Sequence, residues 1–146
     1  MPKTLVSSES TVPRAAFWYP RFDCTLTTGG LDAAWVRVTG ELDISTAPLL
    51  AETLVRAEER SQRVVLDLRQ ITFMDSGGVH VILNASVRAN AAGRRLVLVR
   101  GPSQVDRVLA LAHASDTFDI VDLDSVEPPV QALLKLGRAN APSGMS

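Results

Sequence analysis

The chain has 146 residues, 46% hydrophobic and 21% charged, with a formal net charge of -1. That length buries a single core and gives one domain, and so even a charge balance excludes the concentrated basic surface by which proteins hold nucleic acid or an anionic membrane. The lone cysteine, Cys24, forms neither an internal disulfide nor a cysteine-based zinc site, and reads as a small buried strand residue of a cytoplasmic protein.

In chain order, residues 1–18 are rich in Ser, Thr and Pro and lack the apolar run and small-residue cleavage site of a secretory signal. They read as a flexible N-terminal arm, followed by one folded domain over 19–137 and a flexible tail, RANAPSGMS, over 138–146. The aromatic cluster Phe17, Trp18 and Tyr19 either packs the arm onto the domain or docks a partner. Nowhere does an apolar run approach the roughly 20 residues of a membrane span.

Residues 22–27 and 34–39 alternate apolar and polar side chains around the turn Thr28-Gly29-Gly30-Leu31-Asp32, which predicts an antiparallel hairpin. Gly40-Glu41-Leu42-Asp43 reads as a loop. Ser45 or Thr46 then caps a helix to about Arg60, whose first turn tolerates Pro48 and whose Ala47, Leu50, Ala51, Leu54 and Ala57 share one face. The runs at 64–68 and 96–99 read as strands covered on at least one face. Asp67, within the first run, is expected to point to solvent or a loop and is assigned no function. Between the runs lies a helix from about Ser76 to Ala92, with Val79, Ile82, Leu83 and Val87 as its apolar stripe and Gly93 as its stop. This strand-helix-strand unit implies parallel neighbours. A helix at about 103–112, a strand at 118–121 and a last helix at about 126–136 complete an α/β chain.

Asp75-Ser76-Gly77-Gly78 also surrounds the nucleophile of trypsin-like proteases. Protease chemistry needs a base within reach of the serine and a third group to orient that base. The only histidines are His80 and His113, the strands alternate with helices, and the G-x-S-x-G elbow is missing. Nor is a Walker or Rossmann phosphate loop present. Locally, Asp75 and Ser76 cap the helix, while Gly77 and Gly78 ease a tight turn. The same placement puts Ser76 at a helix N-terminus, where free N–H groups and the helix dipole accommodate an anion such as an attached phosphate.

GELDISTAPLL (40–50), VVLDLRQITFMDSGGVHVIL (64–83) and AGRRLVLVRGPSQVDRVLALAHASDTFDIV (92–121) together resemble the STAS domain of bacterial anti-sigma factor antagonists, over about residues 22–137. The most specific pieces are Gly40-Glu41-Leu42-Asp43 and Phe73-Met74-Asp75-Ser76, at the family's spacing and order. The resemblance implies an α/β, STAS-like fold: a small mixed sheet of about four to five strands, an N-terminal hairpin plus parallel strands, packed with about four helices. It implies a regulatory binding module with no cofactor and no metal, the substrate of a serine kinase and not itself an enzyme. In that family the unphosphorylated antagonist binds an anti-sigma factor, a kinase of the histidine-kinase-like ATPase fold, and so frees the sigma factor. Phosphorylation of the serine matched by Ser76 switches binding off, and a PP2C-type phosphatase reverses it.

Carried over by motif, the partner surface comprises Asp43, Asp75, Ser76, Gly77 and Gly78, with His80 four residues further along the same helix face. Asp43 has the alternative role of a capping or turn aspartate. Two positions depart from the family's pattern. Gly77 stands where a second Ser or Thr is frequent, leaving Ser76 as the hydroxyl of this site. His80 stands where a small residue is common, and is either an exposed helical residue or one that tunes affinity, selects a kinase or senses pH. His113 reads as a surface residue. The alternative to a phosphorylated antagonist is a non-switching STAS scaffold or ligand-binding subunit of a stress-signalling or transport complex.

Overall fold

The computed structural model describes residues 7–10, 22–30, 32–111 and 119–139. They form one mixed sheet in sequence order: β1 (Ser7–Ser10), β2 (Phe22–Gly29), β3 (Ala33–Leu42), β4 (Arg63–Met74), β5 (Arg95–Val99) and β6 (Asp119–Val121). β1–β2 and β2–β3 are antiparallel, and β3 through β6 run parallel. The helices are α1 (Ala47–Arg60), α2 (Ser76–Ala92), α3 (Ser103–Leu111) and α4 (Val130–Ala139).

Period-two alternation builds the two faces of the sheet. Leu26, Val36, Val38, Leu66, Leu68 and Leu98 turn toward α1, α2 and α3, burying Leu50, Leu54, Ile82, Ala85, Val105 and Leu109 with them. Val65, Val97, Val99 and Val121 turn the other way and meet Ala132 and Leu136 of α4. β4 is thus covered on both sides, which is why Val64 to Leu68 is apolar at four of five positions. Cys24 is buried on β2, in the core facing the first three helices.

Several expectations need correction. Residues 7–10, inside the expected arm, form a sixth strand: SSES has no apolar pattern, and its pairing to β2 is a matter of main-chain hydrogen bonding at a sheet edge. The rest of the arm, the aromatic cluster 17–19, His113 and residues 140–146 of the expected tail lie outside the described residues, whereas Arg138 and Ala139 continue α4. Gly40-Glu41-Leu42 is strand, not loop: Gly40 takes a φ of 97°, and the register against β4 shifts there, so the glycine absorbs a bulge without ending β3. The last helix starts at Val130 and not near 126, since Pro128 and Pro129 bias the residues before them away from helical angles. Val87 is exposed. α2 instead buries Gly78, Val79, Ile82, Ala85, Ser86 and Ala89, a face of mostly small residues that lets the helix lie close to its neighbours.

Asp67 is not directed to solvent. At 1% exposure it pairs with Arg69, two residues along the same strand face: its Oδ2 accepts from Arg69 Nη2 at 2.8 Å and its Oδ1 from Arg69 Nε at 3.0 Å. Arg69 also donates to the Asp124 carbonyl, tying β4 to the segment that leads into α4. The hydrogen bonds to this carboxylate raise the guanidinium's pKa above its ordinary value.

Candidate functional site

Leu42 and Met74 are register partners at the ends of the parallel strands β3 and β4. The Asp75 N–H donates to the Leu42 carbonyl at 3.2 Å, joining the two strand ends just where the chain enters α2. Asp75 has extended backbone angles and is the N-cap, its Oδ1 accepting from Gly77 N–H at 2.8 Å. Ser76 is the first helical residue and is exposed, while the next two residues turn inward. The glycines are there for close approach. A Cβ on Gly77 would lie 3.0 Å from Ile44 Cα, and one on Gly78 would lie 2.7 Å from Leu42 Cγ and 2.8 Å from Met74 Cγ. Gly77 therefore seats the turn after β3 against the start of α2, and Gly78 seats α2 against both strand ends.

That turn is organised by Asp43. Its Oδ1 accepts from the Ser45 hydroxyl at 2.7 Å, from Ser45 N–H at 2.9 Å and from Thr46 N–H at 3.1 Å. These bonds, the Ser45 hydroxyl foremost, outweigh a small desolvation cost and hold the carboxyl below its ordinary pKa. Thr46 is the N-cap position of α1, yet its hydroxyl makes no bond into the helix. It donates to the Glu41 carbonyl at 2.9 Å and accepts from Asp43 N–H at 2.9 Å. Asp43 thus fills the capping and turn role. Its neighbour Ile44, in contact with Gly77, is left 79% exposed.

On the other side of Ser76, a groove of about 400 Å³ runs between α2 and α3, lined by Ser76, Val79, His80, Leu83, Val108 and Leu111. Leu111 is 75% exposed at its rim, and Phe73, before the N-cap, is 48% exposed. The structure therefore brings Asp43, Asp75, Ser76, Gly77 and Gly78 to one end of the sheet and places His80 beside Ser76. Sequence reasoning missed the exposed apolar residues Ile44, against Gly77, and Leu111, on the groove. Periodicity marks such residues as core, and only tertiary packing leaves them outside.

Among the described residues, the groove beyond Ser76 and His80 is walled by Val79, Leu83, Val108 and Leu111, with no acid among them to orient the imidazole. Among the described residues no group of three or more His, Cys, Asp or Glu could hold a metal ion. Among them too, no helix is long and apolar enough to cross a membrane.

Comparison with known proteins places this geometry in context. The family model described as STAS domain matches residues 27–128. The anti-sigma-B factor antagonist of Bacillus subtilis (strain 168) is 28% identical over 85 residues, covering 58% of this chain and 78% of that protein. The anti-sigma F factor antagonist of Paenibacillus polymyxa is 32% identical over 89 residues, 60% of this chain and 76% of that one. In fold, the chain is similar to the Bacillus cell fate determinant SpoIIAA in its phosphorylated form, with a TM-score of 0.60 at 17% identity, over 77% of this chain and 98% of that one.

Proposed function

This chain belongs to the STAS domain family, and from that membership we propose that it is an anti-sigma factor antagonist, a binding module switched by phosphorylation of Ser76. The unphosphorylated form engages an anti-sigma factor that is also a serine kinase of the histidine-kinase-like ATPase fold, and the engaged kinase releases its sigma factor. Transfer of a phosphoryl group from ATP to Ser76 ends the contact, and a PP2C-type phosphatase restores it. The work is cytoplasmic, where ATP and sigma factors are found.

The observation that carries this reading is the position of Ser76: exposed at the first turn of α2, between the Asp43–Thr46 turn and the α2–α3 groove, with the capping done by its neighbour Asp75. A hydroxyl so placed is open to a transferase, and its modification breaks none of the cap's hydrogen bonds. The relatives named as anti-sigma factor antagonists support the partner class. Leu111, on the groove that Ser76 lines, and Ile44, against Gly77, supply exposed apolar surface near the hydroxyl. A phosphate adds about -1.5 to -2 charges next to that surface and beside Asp75, where docking would desolvate it, so affinity falls without refolding.

Incubation with the cognate kinase and ATP should add one phosphate, mapped to Ser76. Ser76→Ala should bind and resist modification, and Ser76→Asp should bind more weakly. Modification of Ser76→Ala as efficient as that of the parent would show the switch to be elsewhere. Constitutive binding indifferent to both substitutions would point to a scaffold.

A further inference from the structure

We propose that His80 is the chain's own partner for the phosphoryl group on Ser76, a positioning residue that draws the phosphate over the α2–α3 groove and holds it there. The inference rests on Ser76 being the modified residue. Side chains on an α-helix lean toward its N-terminus, so the residue four positions on covers the turn that holds the earlier one. His80 stands in that relation to Ser76, both are exposed, and both line the same groove. The other walls, Val79, Leu83, Val108 and Leu111, offer no hydrogen bond to a phosphate. Among the described lining residues, then, His80 is the one whose side chain brings a donor to a phosphate on Ser76.

Among the described residues, the surrounding charges do not compete for it. Asp75 and Asp43 face the helix start but are engaged by N–H groups of Gly77, Ser45 and Thr46. On α3, Asp106 pairs with Arg100, and the exposed Arg107 is not among the groove's lining residues. A phosphate swung toward His80 would lie across the groove mouth, so modification would cover an apolar contact as well as add charge.

The test uses the full chain with phosphoserine installed at position 76 during translation, which needs no cognate kinase. In ³¹P NMR, the second ionisation of this phosphoserine should fall at lower pH in the parent than in His80→Ala, by about 0.2–0.7 of a pH unit, the size expected of an exposed ion pair. His80→Lys should retain the shift. Removal of the phosphate by a PP2C-type phosphatase should be about 1.4- to 5-fold faster in His80→Ala. Identical ³¹P titrations in the parent and His80→Ala would overturn the proposal, whatever the binding assays give. A shifted titration in a phosphoprotein that still binds its kinase would uphold the contact and refute the switch. Because position 80 is exposed, all three chains should fold alike, which thermal melts of the unphosphorylated forms would check.

Discussion

Gly78→Ala is the most direct trial of how α2 is seated. The added Cβ would stand 2.7 and 2.8 Å from Leu42 Cγ and Cδ2, and 2.8 Å from Met74 Cγ. Leu42 is fully buried and Met74 is 3% exposed, so neither side chain can swing into solvent to make room. Overpacking of this kind costs about 1–3 kcal/mol, and with two of three contacts against a fully buried leucine the cost belongs in the upper half, about 2–3 kcal/mol. Against it stands the helix propensity gained on replacing glycine by alanine, about 1 kcal/mol. The net expectation is a loss of about 1–2 kcal/mol. For a chain of this size that lowers the melting temperature by roughly 2–8 °C, measured by circular dichroism with a urea midpoint as a second reading. Gly30→Ala is the control: its Cβ would meet nothing within 4 Å, and the substitution should leave the melting point unchanged or raise it. A Gly78→Ala chain that melts at or above the parent would refute the claim that the start of α2 is locked against the ends of β3 and β4.

Two further outcomes follow from the hydrogen bonds of the site. Asp75→Ala, which removes the acceptor for Gly77 N–H, should cost about 1 kcal/mol, whereas Asp75→Asn should cost only a few tenths because the amide oxygen still caps; equal losses in urea titrations would disprove the cap. Asp43 has a folded pKa below its ordinary value of 3.8, so the stability it contributes is present above about pH 4 and disappears as pH falls through the lower folded value. Asp43→Asn should therefore flatten the decline of the urea midpoint below about pH 4, and an unchanged acid limb would count against the Ser45–Thr46 bonding.

How much of this was legible depended on whether the signal was local. The β2–β3 hairpin and the parallel β4–α2–β5 unit follow from periodicity, because alternating and fully apolar runs are sorted by what covers them. Ser76 at the head of α2 was legible for the same reason: Asp75 reads as a cap, and Gly93 as a stop. What the sequence hid is relational. Asp67 looks like a strand's outward residue until Arg69, on the same face two residues away, is recognised as its partner, and the D-x-R spacing was the available clue. Ser7–Ser10 has no pattern of its own and becomes strand only beside β2. Thr46 looks like the cap of α1, but its hydroxyl serves the Glu41 carbonyl because the strand end needs it.

The division of labour at the start of α2 bears on why a surface modification could work as a switch at all. Asp75 carries the cap, Gly77 and Gly78 carry the packing, and the adjacent turn is held by Asp43 through bonds internal to it. None of these contacts uses the Ser76 hydroxyl. Had Ser76 been the cap itself, a phosphate there would have traded helix stability for signalling, and the modified chain would be a less stable one. Placed one residue later, a phosphorylated Ser76 would put its charge at the positive end of the helix dipole, which tolerates an anion, while the proposed docking surface beside it would lose its fit. On this argument the phosphorylated and unphosphorylated chains should melt within about 1 kcal/mol of each other while differing widely in affinity. Separation of those two quantities is what a partner-switching module requires.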